Sequence, residues 1–468
     1  MLHKFNSIKI ILFIAAIASN NALESRVQAS VSAQPQMDIV YEIVQGQRHN
    51  RKRWTFYVYM AADNDLYPFA DRNIEQLKQI GSNENVNILV HLDMHRPGSK
   101  KITRRLFIQK NKAVQIGPDL SLDSGDEQTL IDDLKWVEDE FPSDYLAVDF
   151  WNHGSGDLNP VIGRTINPSQ LFVYNSETKL IELDRSIGFL EFIDSMLKEH
   201  RECRGVCFDE TTGNYLNDQK LKRGLEVSCK YRGNRKIDVI LFDACLMAGT
   251  GTAWTVHPYA KYMTASEEVV LGTGYEYDQI VVALTKNNTT PQEFALHIVK
   301  CYANSYSKVT NDYTQSAINL ENYEKLANNI DLLATLLIKA LQHQKNNSVK
   351  EALKKSSSKL ACTHFDEPSY KDFRHWCRNL QKSLSSMTFN DSVNAQELVS
   401  AIKQTLNDSM AIINEVVIAN AAGPNLREAG GISIYFPERK IHPSFVATEF
   451  GINNTWSKFL TYYLSLPN

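Results

Sequence analysis

Four apolar runs constrain the fold more than any other feature of this chain. They are WTFYVYM (54–60), NVNILVHLD (85–93), DYLAVDFWN (144–152) and KIDVILFDA (236–244). Each is short, nearly continuous in apolar character and rich in β-branched and aromatic residues, as a strand buried on both faces should be. Helical spacing separates them. IEQLKQI follows the first run, with Asp63 or Asn64 placed to cap its helix. SGDEQTLIDDLKWVEDEF (124–141) carries acids in its first turn and apolar residues at 130, 134 and 137. KITRRLFI (101–108) reads as a further strand. Strand and helix in this alternation predict an α/β fold with a mainly parallel central sheet flanked by helices.

The rest of the chain divides around that core. MLHKFNSIK is basic and IILFIAAIA is a short apolar run, followed by small-residue cleavage patterns near 18 and 29, so residues 1–29 read as a secretory signal peptide. Residues 30–53 read as an exposed leader or pro-segment ending in the basic run RHNRKR, with Arg53 a processing candidate. The core spans 54–290, with a polar insertion at 157–235 that contains the helical pattern SIGFLEFIDSMLKEH (186–200). From 291 to 468 the pattern is mostly helical, returning as strands near 415–437 in EVVIANAA and GGISIYFP.

Bulk properties exclude some partners. The formal net charge is −4 and no long basic stripe occurs, which argues against nucleic acid. Beyond the signal peptide no apolar run is long enough to span a membrane. The expected product is a secreted or periplasmic monomer, in two chains if processed. Seven cysteines in an exported chain leave at least one unpaired, with Cys203/Cys207 and Cys362/Cys377 as local disulfide candidates. No zinc-spaced ligand pairs accompany them.

Two of the core strands end on reactive side chains. DYLAVDFWN runs into His153-Gly154, and KIDVILFDA into Cys245. Loops at the carboxyl ends of neighbouring parallel strands share one edge of the sheet, where open α/β folds bind ligands. A thiolate is a nucleophile, and an imidazole beside it can activate it or protonate a leaving amine. Gly154 permits close backbone approach. Its N–H, with that of Cys245, would hold the oxyanion of a tetrahedral intermediate.

These stretches resemble the clostripain family of clan CD cysteine peptidases. YVYMAADNDL (57–66), LIDDLKWV (130–137), DFWNHGSG (149–156), LFDACLMA (241–248), YMTASEE (262–268) and GGISIYFP carry the likeness, in the family's order. The resemblance implies a caspase-like fold, with Cys245 as nucleophile, His153 as its acid/base partner and cleavage of polypeptides after Arg or Lys. Asp243 matches an acidic position tied to that preference. It lies two residues before Cys245 on a strand, so it should face the same side. After TASEE this chain reads VVLGTGYEYD, with Thr273 where some relatives place a second pocket acid; Glu276 or Asp278 would have to substitute. The resemblance also implies maturation by a cut between the two motifs, for which Arg164, Lys179, Arg185 and Arg204 are candidates. No cofactor is required for this chemistry. Calcium is considered because the family's type enzyme depends on it, with Asp157 an available acid, although no EF-hand loop occurs.

Two other readings compete. Asp63 and Asp65 resemble the paired aspartates of a magnesium-dependent phosphatase, although LYPF follows them. A secreted binding protein on an inactive peptidase scaffold is the second, since a fold does not dictate its use.

Overall fold

The structure, a computed structural model, describes residues 39–41, 50–158, 172–175, 177–183, 205–343, 348–386 and 393–467. The strands are β1 (Ile39–Tyr41), β2 (Lys52–Ala62), β3 (Val86–Met94), β4 (Ile102–Gln109), β5 (Lys112–Leu120), β6 (Ser143–Trp151), β7 (Phe172–Asn175) and β8 (Leu180–Leu183). They continue as β9 (Val206–Asp209), β10 (Asn214–Leu216), β11 (Ile237–Asp243), β12 (Ala260–Ala265), β13 (Thr314–Asn319), β14 (Tyr370–Asp372), β15 (Val417–Ala422) and β16 (Ser433–Tyr435). Ten of them form one sheet in the order β1-β5-β4-β3-β2-β6-β11-β12-β13-β15. The central five, β3-β2-β6-β11-β12, are parallel. The expected α/β architecture is therefore present, with antiparallel additions at both edges.

The helices that matter here are α1 (Tyr67–Ile80), α2 (Glu127–Glu140), α3 (Asp218–Tyr231), α4 (Thr250–Val256), α5 (Tyr277–Val281), α6 (Pro291–Tyr306) and α7 (Tyr323–His343). Of these, α2, α3, α4 and α7 pack in succession as one layer, and α1, α5 and α6 as another. Asp126 caps α2 by accepting the Gln128 N–H. At α1 neither expected aspartyl or asparaginyl cap forms: the N-cap is Leu66, and Asn64 instead accepts the Leu66 N–H at 3.0 Å. Trp54, Phe56, Val58, Val148, Ile240 and Phe242 are fully buried, each worth about 1.5–3 kcal/mol of apolar burial.

Several segments differ from expectation. EVVIANAA enters the main sheet as β15, but GGISIYFP forms β16 in a separate two-stranded sheet with β14. Strand β13 was hidden because Thr314, Gln315 and Ser316 are polar yet buried, their side chains bonding the Glu267 and Glu268 N–H groups, Tyr275 and Gly431. Within the leader, β1 pairs with β5 at the sheet edge. Arg53 lies in β2 with its guanidinium 5.0 Å over the Tyr145 ring. Residues 1–29, expected to be a signal peptide, and the pattern at 186–200 lie outside the described residues. No helix among the described residues is long and apolar enough to cross a membrane. The six described cysteines are all unpaired thiols, Cys362 and Cys377 included; Cys377 bonds Ser409 instead, and Cys203 is not described.

Candidate active site

Strands β6 and β11 are parallel neighbours in register, with Phe242 opposite Phe150 and Asp243 opposite Trp151. Both chains therefore leave the sheet at the same edge. Asn152 begins the first loop and donates its N–H to the Asp243 carbonyl at 3.3 Å. Gly154 lies directly on the second loop. A Cβ added there would fall 2.6 Å from the Cys245 carbonyl oxygen and 3.0 Å from the Ala244 Cβ. The close approach at Gly154 is to the Cys245 loop, where one to a substrate was expected. On its other side Gly154 bridges Val206 of β9, and the Tyr370 hydroxyl donates to the Ser155 carbonyl at 2.8 Å.

His153 has a partner that the sequence reading missed. Its Nε2 lies 2.7 Å from Asp65 Oδ1. A carboxylate only accepts, so this geometry assigns a proton to Nε2. Strand β2, which leads to Asp65, adjoins β6, which leads to His153. The connections from β2 and β6 run to opposite sides of the sheet, the switch point at which such folds open a crevice. That adjacency is a product of the fold, for which the sequence carried no local signal.

Cys245 is buried, and its sulfur is held by one peptide group. The Val270 N–H donates to Sγ at 3.2 Å, and the thiol points at the Val270 carbonyl at 3.6 Å. Burial pushes this thiol well above its ordinary value; the Val270 N–H works against that, while the carboxylates of Glu268, Asp366 and Asp243 add to it.

Asp243 sits beneath the same edge. Its Oδ2 accepts the Tyr275 N–H at 3.0 Å and the Tyr277 hydroxyl at 3.0 Å, while Oδ1 is buried without a hydrogen-bond partner among the described residues. Asp149, one strand away, accepts the same Tyr277 hydroxyl at 2.5 Å. Burial pushes Asp243 up to about 6, opposed by the Tyr275 N–H and the Tyr277 hydroxyl, and burial beside Asp243 holds Asp149 well above the carboxylate range. Gly274, at φ +59°, covers the carboxyl so closely that a Cβ would fall 2.2 Å from Oδ2. Glu276 does not converge on it as an unpaired acid: it pairs with Arg72 at 2.7 Å and bonds Gln76. Asp278 lies in the first turn of α5 with a buried Oδ1 that lacks a hydrogen-bond partner among the described residues. The Thr273 carbonyl accepts from Arg72 and Asn73, each at 3.2 Å.

The remaining candidates separate. Asp63 and Asp65 do not face one another as a catalytic pair. Asp63 Oδ2 lies 3.1 Å from Lys101 Nζ, which also lies 3.1 Å from Asp93 Oδ2 and bonds Asp209. Burial pushes Asp209 up to about 7 against the pull of Lys101. Asp157, considered for calcium, accepts the Gly251 N–H at 3.2 Å. Among the described residues no group of three or more His, Cys, Asp or Glu is placed to hold a metal. A cleft lined by Gly156, Asp157, Met247 and Gly251 lies behind the loops and contains neither His153 nor Cys245. Lys179 is exposed in the β7–β8 turn; Arg164, Arg185 and Arg204 lie outside the described residues.

Comparison with known proteins bears on the family and the fold. The clostripain family profile matches residues 58–161 and 194–463. The chain is 22% identical to clostripain of Hathewaya histolytica over 486 aligned positions, covering 89% of this chain and 78% of that one. Two solved structures share its fold at 18% identity, each covering 88% of this chain and 99% of theirs. One is a secreted C11 cysteine protease from Bacteroides thetaiotaomicron bound to an irreversible peptide inhibitor, at TM-score 0.52, and the other an inactive zymogen C11 protease from Parabacteroides distasonis, at TM-score 0.55. The fold is caspase-like, the chain is a cysteine endopeptidase, and it belongs to the clostripain family.

Proposed function

We propose that the chain is an exported endopeptidase that cleaves polypeptides after Arg or Lys through Cys245 and His153. The observation that carries this reading is the contact of Gly154 with the Cys245 loop at the ends of two adjacent parallel strands. In the reaction the Cys245 sulfur attacks the scissile carbonyl, and its proton passes to His153. The N–H groups of Gly154 and Cys245 receive the oxyanion. His153 then protonates the leaving amine, and water hydrolyses the thioester, regenerating the thiol. Asp65 holds the imidazole throughout.

Asp243 is the basis for the basic preference. A buried carboxyl with one oxygen lacking a hydrogen-bond partner suits a guanidinium or ammonium group. Glu276, already neutralised by Arg72, contributes to pocket shape more than to charge, so Asp243 carries the selectivity largely alone. Maturation by a cut between the two motifs fits the exposed turn at Lys179, since exposed turns tolerate nicking. Arg53 would first have to leave β2.

The test is hydrolysis of reporter amides following Arg, Lys, Asp or Leu, by the wild-type chain and by Cys245→Ala. Cleavage after Arg or Lys that the substitution abolishes is expected. Equal rates after Leu or Asp would overturn the specificity, and undiminished activity of Cys245→Ala the mechanism.

A further inference from the structure

The Ser266-Glu267-Glu268 turn has no part in the reaction as described, yet both glutamates are buried, at 1% and 0% exposure. Burying adjacent carboxylates is costly unless bonds offset it. The bonds of Glu268 lead to the nucleophile. Its Oε1 accepts the N–H of Val269 at 2.9 Å and of Asp366 at 2.9 Å. Its own carbonyl accepts the Leu246 N–H at 3.2 Å, directly after Cys245. Two residues later, Val270 holds the sulfur through both ends of its peptide group. One residue therefore ties together the loop of Cys245, the turn that covers it and the 363–372 segment.

We propose that Glu268 is a positioning residue for Cys245, fixing the Val270 peptide on the sulfur through the bonds of its carboxyl and carbonyl oxygens. This rests on the reading of Cys245 as the nucleophile. The groups that bear on the sulfur come from each element around it: Glu268 from the turn, Asp366 from the 363–372 segment, Asp243 from β11 and the Tyr306 hydroxyl from α6. The three carboxylates all disfavour a thiolate, with the Val270 N–H opposing them. Glu268 is the one among them that also builds the cover.

Glu268→Gln separates the acceptor from the carboxylate, because an amide oxygen still accepts both N–H groups. The measurement is the rate of Cys245 alkylation by iodoacetamide against pH, read by mass spectrometry, with Cys245→Ala as the blank. In Glu268→Gln the midpoint should move down by about one pH unit and the rate at neutral pH rise about tenfold. Asp366→Asn, should Glu268→Gln fold poorly, is expected to move it the same way by less. Glu268→Ala, which also loses the acceptor, should cut kcat/KM more than Glu268→Gln does. Equal kcat/KM in Glu268→Ala and Glu268→Gln, or a Glu268→Gln profile that moves to higher pH, overturns the proposal. A Cys245 that takes no label at any pH overturns the nucleophile reading itself, and this inference with it.

Discussion

His153 and Asp65 meet at 2.7 Å across the boundary between β6 and β2, although 88 residues separate them in the chain. The carboxylate fixes the orientation of the ring and assigns a proton to Nε2. Asp65→Ala should lower kcat/KM for an arginyl amide about tenfold to hundredfold. Asp65→Asn, which keeps an acceptor oxygen, should lose less. Steady-state kinetics of both variants check this; two wild-type rates would remove Asp65 from the site.

Asp243 gives the reaction a pH dependence of definite sign. Only its ionised form pairs with a basic side chain, so kcat/KM for an arginyl substrate should rise with pH through about 6. The same acid acts on stability in the opposite sense. Burial raises it from 3.8 to about 6, so the folded chain keeps a proton that the unfolded chain releases between those values. Its stabilising contribution is fully present below 3.8 and is lost as pH rises through about 6. Asp243→Asn should flatten both profiles and abolish the preference for Arg over Leu, as rate profiles and thermal melts against pH would show.

Gly154→Ala places a methyl 2.6 Å from the Cys245 carbonyl oxygen, and backbone must move. A displacement of the order of an ångström at the reacting groups costs about a hundredfold in rate. The variant should fold, melt lower and lose about that much kcat/KM.

Lys101→Met leaves Asp63, Asp93 and Asp209 buried together without their cation. Removing one partner of such a cluster costs roughly 3–5 kcal/mol. The loss should be smaller at pH 5 than at pH 8, because the acids can then take up protons. Urea denaturation at the two pH values measures it, and an unchanged midpoint at pH 8 would show that the lysine is dispensable.

What the sequence showed follows from what each residue does. The central strands were legible because their burial on both faces left apolar runs, and His153 and Cys245 because each stands at the end of one. Strand β13 was not legible, since its buried polar side chains serve bonds to other segments and leave no period of two. Asp65 was seen and misjudged: beside Asp63 it suggested an acid pair, and only the adjacency of β2 and β6 shows that the two acids face different partners. Lys101, Val270 and Glu268 act through contacts between distant segments, for which no local pattern exists. The same holds for the thiols Cys362 and Cys377, whose nearness in sequence suggested a bond that the fold does not make.

The most direct test of the account is to locate, by mass spectrometry of the intact enzyme and its digest, the residue alkylated by a peptidyl chloromethyl ketone ending in arginine. The account predicts a single adduct on Cys245, formed more slowly in His153→Ala and without preference over the leucyl reagent in Asp243→Asn. An adduct on any other cysteine, accompanied by undiminished peptide cleavage in Cys245→Ala, would contradict it.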